Sequence, residues 1–327
     1  MTRSAKRLLG SLVSVMVSVG LAQATHSQIA GKPVTLVVPT SPATSTDIMA
    51  RTLQPRLQKL WADNIIVENR TGASGAIGMA DVVRADPDGN TLLISTSTMA
   101  MVNLTQKNLS WNPATDLQPV ARLASLPYAI VVNPALPVQN VHELIALAKK
   151  SPGRLNYSTP GVGTPHHLVT EMFRHATGID VVHIPYKTSA AAITDLVGGQ
   201  VQFAFLPVQG VLPLVKAGKL RMIATVTDAR TQWTLDVPTL KEQGVNGVAI
   251  NSWIGAFLPK NTPRTLVEKY SRDIGSILNS ADVKAELLTA GIVVQFGGPG
   301  DMAAGLSHDM ALWRSVVTDG RIDLNQN

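Results

Sequence analysis

Val34-Thr35-Leu36-Val37-Val38-Pro39-Thr40-Ser41-Pro42-Ala43-Thr44-Ser45-Thr46-Asp47 is the stretch on which the fold turns. Its first five residues make a β-branched apolar run closed by a proline, which predicts a buried strand. The small-residue loop that follows ends at Ser45 or Thr46, either of which suits a helix N-cap. Ile48, Met49, Leu53, Leu57 and Leu60 then recur at helical spacing over residues 46–60. Ile65, Ile66 and Val67 read as a second strand, residues 76–84 as a helix, and residues 91–95 as a third strand after the turn Pro87-Asp88-Gly89. Strand, helix, strand, helix, strand means a parallel sheet with helices packed on it.

The same grammar continues through the middle of the chain. Strands are expected at 129–132, 155–158, 181–184, 201–205 and 222–226, alternating with helices at 141–150, 165–177, 190–197 and 211–217. After Gly247 the chain is expected to turn back, with a strand at 252–258 and helices over 263–279, 281–290 and 300–317 that would cover the first unit. The expected fold is therefore α/β and two-lobed, each lobe a mostly parallel sheet flanked by helices. Lobe I comprises residues 25–125 plus 250–327 and lobe II residues 126–249, with a hinge of two crossings near 125 and 250. Neither an internal repeat nor a low-complexity linker marks that boundary, so it rests on pattern alone.

Residues 1–24 have the order of a secretory signal peptide: Arg3, Lys6 and Arg7, an apolar run from Leu8 to Leu21, then Ala22-Gln23-Ala24. The run is shorter than the roughly 20 apolar residues that a membrane-spanning helix needs. Cleavage near Ala24 and a periplasmic destination are expected. The chain has no cysteine, which excludes a lipoprotein anchor and a disulfide framework, so stability must come from packing. Three of the basic residues lie in the leader, which lowers the formal net charge of +6 to +3 for the rest of the chain. A nucleic-acid binder would cluster its cations to neutralise phosphates, and the longest basic run here is Lys149-Lys150 on an expected helix, so no nucleic-acid partner is expected.

In open α/β sheets, ligands gather where strand ends lead into helices. Three such loops are rich in glycine and small hydroxyl residues: 40–47, Thr71-Gly72-Ala73-Ser74-Gly75, and Ser158-Thr159-Pro160-Gly161-Val162-Gly163-Thr164-Pro165. Each can present unpaired backbone amides at a helix N-terminus, where an anionic oxygen gains hydrogen bonds and a favourable dipole without any lysine. Ordinary capping is the commoner use of one such loop. Three on one presumed edge, drawn from both lobes, favour a cleft that binds a carboxylate.

The enzymatic alternatives lack their parts. Residues 161–166 miss the last glycine of a dinucleotide fingerprint, and no glycine loop continues as Gly-Lys-Ser/Thr. His167 and Glu171 sit one helical turn apart like a metal pair, but no third ligand is evident, and His175 and His183 read as surface or strand-edge residues. The run Gly72-Ala73-Ser74-Gly75-Ala76 misses a nucleophile elbow by one position. Asp47 is the only acid in the three loops, so no carboxylate pair is available for acid-base work, and its place at a helix start suits the dipole. No catalytic residue, metal or cofactor is expected. An exported hydrolase or isomerase using the same cleft is the alternative, and an acid-base pair would be its mark. A regulator domain would share two lobes, but would carry a helix-turn-helix in place of an export signal.

The chain resembles the Bug family, the periplasmic receptors of tripartite tricarboxylate transporters. The resemblance covers nearly all of the mature chain and is carried by Lys32 to Pro39, Asp47 with Arg51, Val67 to Arg70 with Gly72 and Gly75, and Asp86 to Gly89. It continues through Tyr157 to Gly163, His167-Leu168, Val182 to Lys187, Asp195 to Gly199, Ala217 to Arg221, and Trp253 before Pro259. It implies a flytrap that clamps a small organic acid, acts as a monomer and delivers its ligand to a membrane permease. Carried onto this sequence, the ligand contacts are Ser41, Thr44, Ser45 and Thr46, with Ser74, Ser95 and Thr96 nearby. Ser158, Thr159, Gly163, Thr164 and His167 come from the other lobe, and Tyr186 lines the cleft. Asp47 is read first as a helix cap and alternatively as the partner of a ligand amino group. One departure matters: the family's first loop carries Pro-Gly-Gly where this chain has Pro42-Ala43-Thr44, which narrows the approach and adds a hydroxyl. Aromatic residues make up only 4% of the chain, which counts against a sugar ligand.

Overall fold

A computed structural model describes residues 32–319 apart from 107, 228, 232, 233 and 251. The leader reading of residues 1–24 lies outside the described residues. Strand β1 (Val34–Val38) is followed by α1 (Ser45–Trp61), β2 (Ile65–Asn69), α2 (Ala76–Val83), β3 (Thr91–Thr96), and two short helices, α3 (Val102–Thr105) and α4 (Pro113–Asp116). Strand β4 (Leu117–Leu126) leads directly into β5 (Tyr128–Val132). Then come α5 (Val141–Lys150), β6 (Asn156–Thr159), α6 (Pro165–Thr177), β7 (Val182–Pro185), α7 (Ser189–Val197), β8 (Phe203–Pro207), α8 (Val208–Lys216) and β9 (Arg221–Thr225). The chain closes with β10 (Ser252–Pro259), α9 (Arg264–Asn279), α10 (Ala281–Thr289), β11 (Val293–Gly297) and α11 (Pro299–Asp319).

These strands form two sheets, one in the order β11-β4-β10-β3-β1-β2 and the other β7-β6-β8-β5-β9. The chain passes from the first to the second across Pro127 and returns between Thr225 and Ser252. Two sets of strands joined through helices run parallel: β1 with β2 and β3, and β6 with β7 and β8. The sheets are nonetheless mixed, because β10 lies antiparallel between β3 and β4, β11 is antiparallel to β4, and β5 is antiparallel to β8 and β9.

Strands β4 and β11 correct the sequence reading, which assigned neither. Leu117-Gln118-Pro119-Val120-Ala121-Arg122-Leu123-Ala124-Ser125-Leu126 lacks clean alternation and contains a proline, which ordinarily argues against a central strand. The β4–β10 ladder accommodates it with two register shifts, and Val120 and Leu123, the residues skipped there, are fully buried.

Helix α1 shows how the apolar stripe positions an element. Met49, Leu53 and Leu57 bury against the first sheet, whereas Leu60 stays exposed and Trp61 takes the last buried position. Trp61 stacks on Tyr270 at 4.4 Å and donates Nε1 to Asp273 Oδ2 at 2.7 Å, which ties α1 to α9. One core packs β1, α1, α9 and α10 on one face of the first sheet. A second core is continuous between the two lobes, joining Val37, Leu93, Trp253 and Trp313 to Ile130, Phe173 and Phe203.

Candidate functional site

Strand directions bring the site together. In the first sheet, the C-terminal ends of β1, β2 and β3 share one edge. The pairings Ser252 with Leu126 and Val293 with Ser125 put the end of β4 and the starts of β10 and β11 on that same edge. In the second sheet, Tyr128 pairs with Pro207, so the ends of β6, β7 and β8 lie on the edge where β5 enters. Because the chain crosses between lobes at these two edges, the loops after β1, β2 and β3 and those after β6, β7 and β8 lie at the edges where the lobes join, the place where ligands gather in open α/β sheets.

The first loop is tightly organised. Thr40 Oγ1 hydrogen-bonds Thr44 Oγ1 at 2.7 Å and Thr46 Oγ1 at 2.6 Å, and Thr44 Oγ1 donates to the Ser41 carbonyl at 2.8 Å. Ser41 is exposed on the rim, Thr44 and Ser45 are half-buried, and Thr46 is buried. Thr44 is the N-cap residue of α1 but makes no side-chain capping bond to the helix amides. The N-terminus of α1 therefore retains donors toward the cleft. Of the two positions that depart from the family's glycine pair, Ala43 adopts a left-handed backbone (φ 63°) while Thr44 stays extended (φ −79°). Only Ala43 carries the strain of an L-residue in that region.

Loop two packs beside it. Gly72, Ala73, Ser74 and Gly75 all have positive φ, and a Cβ on Gly75 would stand 3.3 Å from Pro39. Two consecutive non-glycine residues in this conformation are the kind of local strain that surrounding structure must hold in place. Ser74 is exposed, as is Ile77 one turn later. Ser95 is buried at the end of β3 with no hydrogen-bond partner for Oγ, and Thr96 Oγ1 bonds Thr98 Oγ1.

In the opposite lobe, Thr164 caps α6 by accepting from His167 N at 3.4 Å, and its Oγ1 also donates to Gly161 O at 2.8 Å. Gly163 N donates to His167 Nδ1 at 3.2 Å, which assigns the ring proton of a neutral His167 to Nε2. Tyr157, His183 and His167 form a stack with centroid spacings of 4.9 and 4.3 Å, and Thr159 Oγ1 bonds His183 Nε2 at 2.7 Å. Glu171 is engaged by Tyr157 OH at 2.8 Å and by Arg174 at 2.7 Å. His167, at the start of α6, and His183, on β7, thus pack as a pair. The hydroxyl of Ser158 donates to Ala192 O on α7 at 3.4 Å, and Tyr186 OH donates to Asp195 at 2.7 Å.

Two further residues of this edge stand outside the expected ligand contacts. His166 packs edge-on against Tyr128 at the crossing, with Nδ1 buried and unpartnered. Gln209, after β8, approaches Gly291 of the first lobe, and its Oε1 is likewise buried without a partner. Gln209 is the second residue of α8, which follows β8 with no intervening loop, so loop composition gives no sign of it.

Burial pushes His166 and His183 down to about 4, reinforced at His183 by the neighbouring His167 ring. Each group is neutral when folded but takes up a proton in the unfolded chain below about pH 6.5. Stability is therefore present above about pH 6.5 and falls as pH drops toward about 4, by up to about 1.4 kcal/mol per pH unit for the fully buried His166 and by less for the half-buried His183, which solvent screens. Urea unfolding across this range measures it. The slope should shrink in His183→Gln, and an unchanged slope would contradict the assignment.

A two-lobed α/β protein whose polar loops and helix N-termini converge between the lobes is a solute-binding receptor of the periplasmic-binding-protein type. The profile described as "Tripartite tricarboxylate transporter family receptor" matches residues 49–317. The chain belongs to this family, whose members are receptors and not enzymes. BugT of Bordetella pertussis is 31% identical over 290 residues, spanning 88% of this chain and 89% of BugT. An R. palustris protein solved with adipate is 31% identical with a TM-score of 0.80, covering 90% of this chain and 99% of its own. MatC from Rhodopseudomonas palustris, with bound malate, is 26% identical with a TM-score of 0.74, over 88% and 99% respectively.

Proposed function

We propose that this protein captures a small carboxylate, foremost a dicarboxylate, in the interlobe cleft and delivers it to a tripartite tricarboxylate-type membrane permease. The observation that carries this reading is that the N-termini of α1 and α6 lie at the lobe-crossing edges of their two sheets, each beside hydroxyl residues. Two such termini suit an anion at each end of one ligand. Similar proteins with adipate and malate support the ligand class. Residues 25–125 plus 250–327 form lobe I and 126–249 lobe II, acting as a monomer in the periplasm after cleavage near Ala24. Ser41, Thr44, Ser45, Thr46, Ser74, Ser95 and Thr96 face Thr159, Gly163, Thr164, His167 and Tyr186. Ser158 supports its loop from behind.

A thermal-shift screen of residues 25–327 against mono-, di- and tricarboxylates, amino acids and sugars tests this. A ligand at 100 times its Kd adds about 2.7 kcal/mol of stability, enough to move the melting temperature visibly. Ser45→Ala and Thr164→Ala should each weaken the carboxylate hit by about 1 kcal/mol or more. Stabilisation by sugars alone, or affinity unchanged in both variants, would refute the proposal.

A further inference from the structure

Two carboxylates are buried among the described residues, Asp47 and Asp309, and their surroundings differ. Asp47 is saturated with donors: Oδ2 accepts from Ala43 N at 2.9 Å and Arg51 Nε at 3.0 Å, and Oδ1 accepts from Asn69 Nδ2 at 2.9 Å. Asp309, on α11, is 7% exposed and accepts one hydrogen bond among the described residues, at Oδ2 from Trp253 Nε1 at 2.7 Å. It forms no ion pair among them, and Arg122 and His308 act on it only through longer-range charge. Burial raises its pKa, and the Trp253 bond and those two charges offset that only in part. A buried carboxylate without a partner cation is costly in its ionised form.

Asp309 also lines a pocket of about 430 Å³ between the two lobe crossings, β11 and α11. Its walls are largely apolar, with Val226 and Ile250 from the return crossing, Val293 and Val294 from β11, and Leu312 from α11. Thr227, in the same wall, donates its hydroxyl proton to Ala229 O at 2.7 Å, which leaves its own oxygen as an acceptor. None of the lining residues belongs to the three polar loops of the cleft. An apolar chamber of this size with an under-satisfied carboxylate on its wall has the makeup of a small-ligand site. We infer that this pocket is a second binding site, separate from the cleft, for a small organic cation whose ammonium pairs with Asp309 and whose hydrocarbon body lies against the valines, Ile250 and Leu312. The same carboxylate repels anions, so the two sites take ligands of opposite charge.

Calorimetric titration of residues 25–327 with benzylammonium, and with benzyl alcohol as a neutral probe of similar shape, tests the site. Benzylammonium should bind about tenfold more tightly than the alcohol or better, because only the cation pairs with a buried carboxylate. Asp309→Asn keeps an acceptor for Trp253 Nε1 and should erase that advantage. Equal affinity for the two probes, no binding of benzylammonium at millimolar concentration, or an advantage that survives in Asp309→Asn would each overturn the inference. The location has its own readout in the unsubstituted chain, which decides the question even if Asp309→Asn folds poorly. The Trp253 indole N–H, hydrogen-bonded to Asp309, should shift in its proton resonance as benzylammonium is added. A resonance that stays fixed while benzylammonium binds would put the cation elsewhere and refute the site.

Discussion

Trp253→Ala should lower the stability of this protein by about 3–5 kcal/mol, the range for removing a large buried aromatic ring. Trp253 is fully buried on β10, the strand by which the chain re-enters the first sheet. Its ring packs on Phe257 at 6.0 Å, and its Nε1 donates to Asp309 Oδ2 on α11 at 2.7 Å. Truncation would leave both a cavity and a buried carboxylate without that donor. Burial already raises the pKa of Asp309, and the Trp253 hydrogen bond counteracts it. Trp253→Phe keeps most of the ring volume and removes the donor, so it should show the smaller loss of an unsatisfied buried acceptor, about 1–3 kcal/mol. Urea unfolding of the two variants separates packing from hydrogen bonding, and equal losses would show that the hydrogen bond dominates.

Gly291→Ala should combine a local cost with a change in how the lobes meet. Gly291 ends α10 in the left-handed conformation (φ 73°) that helix C-caps favour for glycine. A Cβ there would lie 2.2 Å from Gln209 Cβ and 2.9 Å from Gln209 Cα, in the opposite lobe. The second contact is with backbone, so a rotamer change cannot relieve it, and the lobes must separate on that side. Gly178 provides the control: it caps α6 at φ 65°, and an added Cβ would meet nothing within 4 Å. Gly178→Ala should lose only the roughly 1–2 kcal/mol of a left-handed L-residue. Gly291→Ala should lose that much, bind its ligand at least tenfold more weakly, and show a larger radius of gyration in solution scattering. If the two variants bind equally well, the Gly291–Gln209 approach has no part in closure.

Helices α5 and α6 were readable to the residue because caps and stripe agree. Asn140 and Thr164 cap their first turns, Pro165 occupies a position where its missing N–H is harmless, and Gly178 ends α6 in the left-handed region. Strand β4 was not readable, since its proline and irregular pattern make sense only once β10 and β11 supply partners on both sides. Among site residues, the hydroxyl-rich loops announced themselves by composition. The fate of each hydroxyl did not: Ser158 and Thr159 are adjacent and equally buried, yet one serves α7 and the other His183. Side-chain alternation along a strand makes them diverge, and only the packed neighbours say which face is which.

Local sequence was enough to determine the α/β class, most helices, the parallel strands and the three polar loops, because periodicity, capping and turn chemistry act over a few residues. Tertiary structure decided the antiparallel strands, the Gln209–Gly291 approach, the Tyr157–His183–His167 stack and the hydrogen bonds of Asn69 to Asp47 and to the Thr40 carbonyl. Those depend on groups distant in the chain coming within 3–5 Å, and a one-dimensional pattern carries no record of such distances.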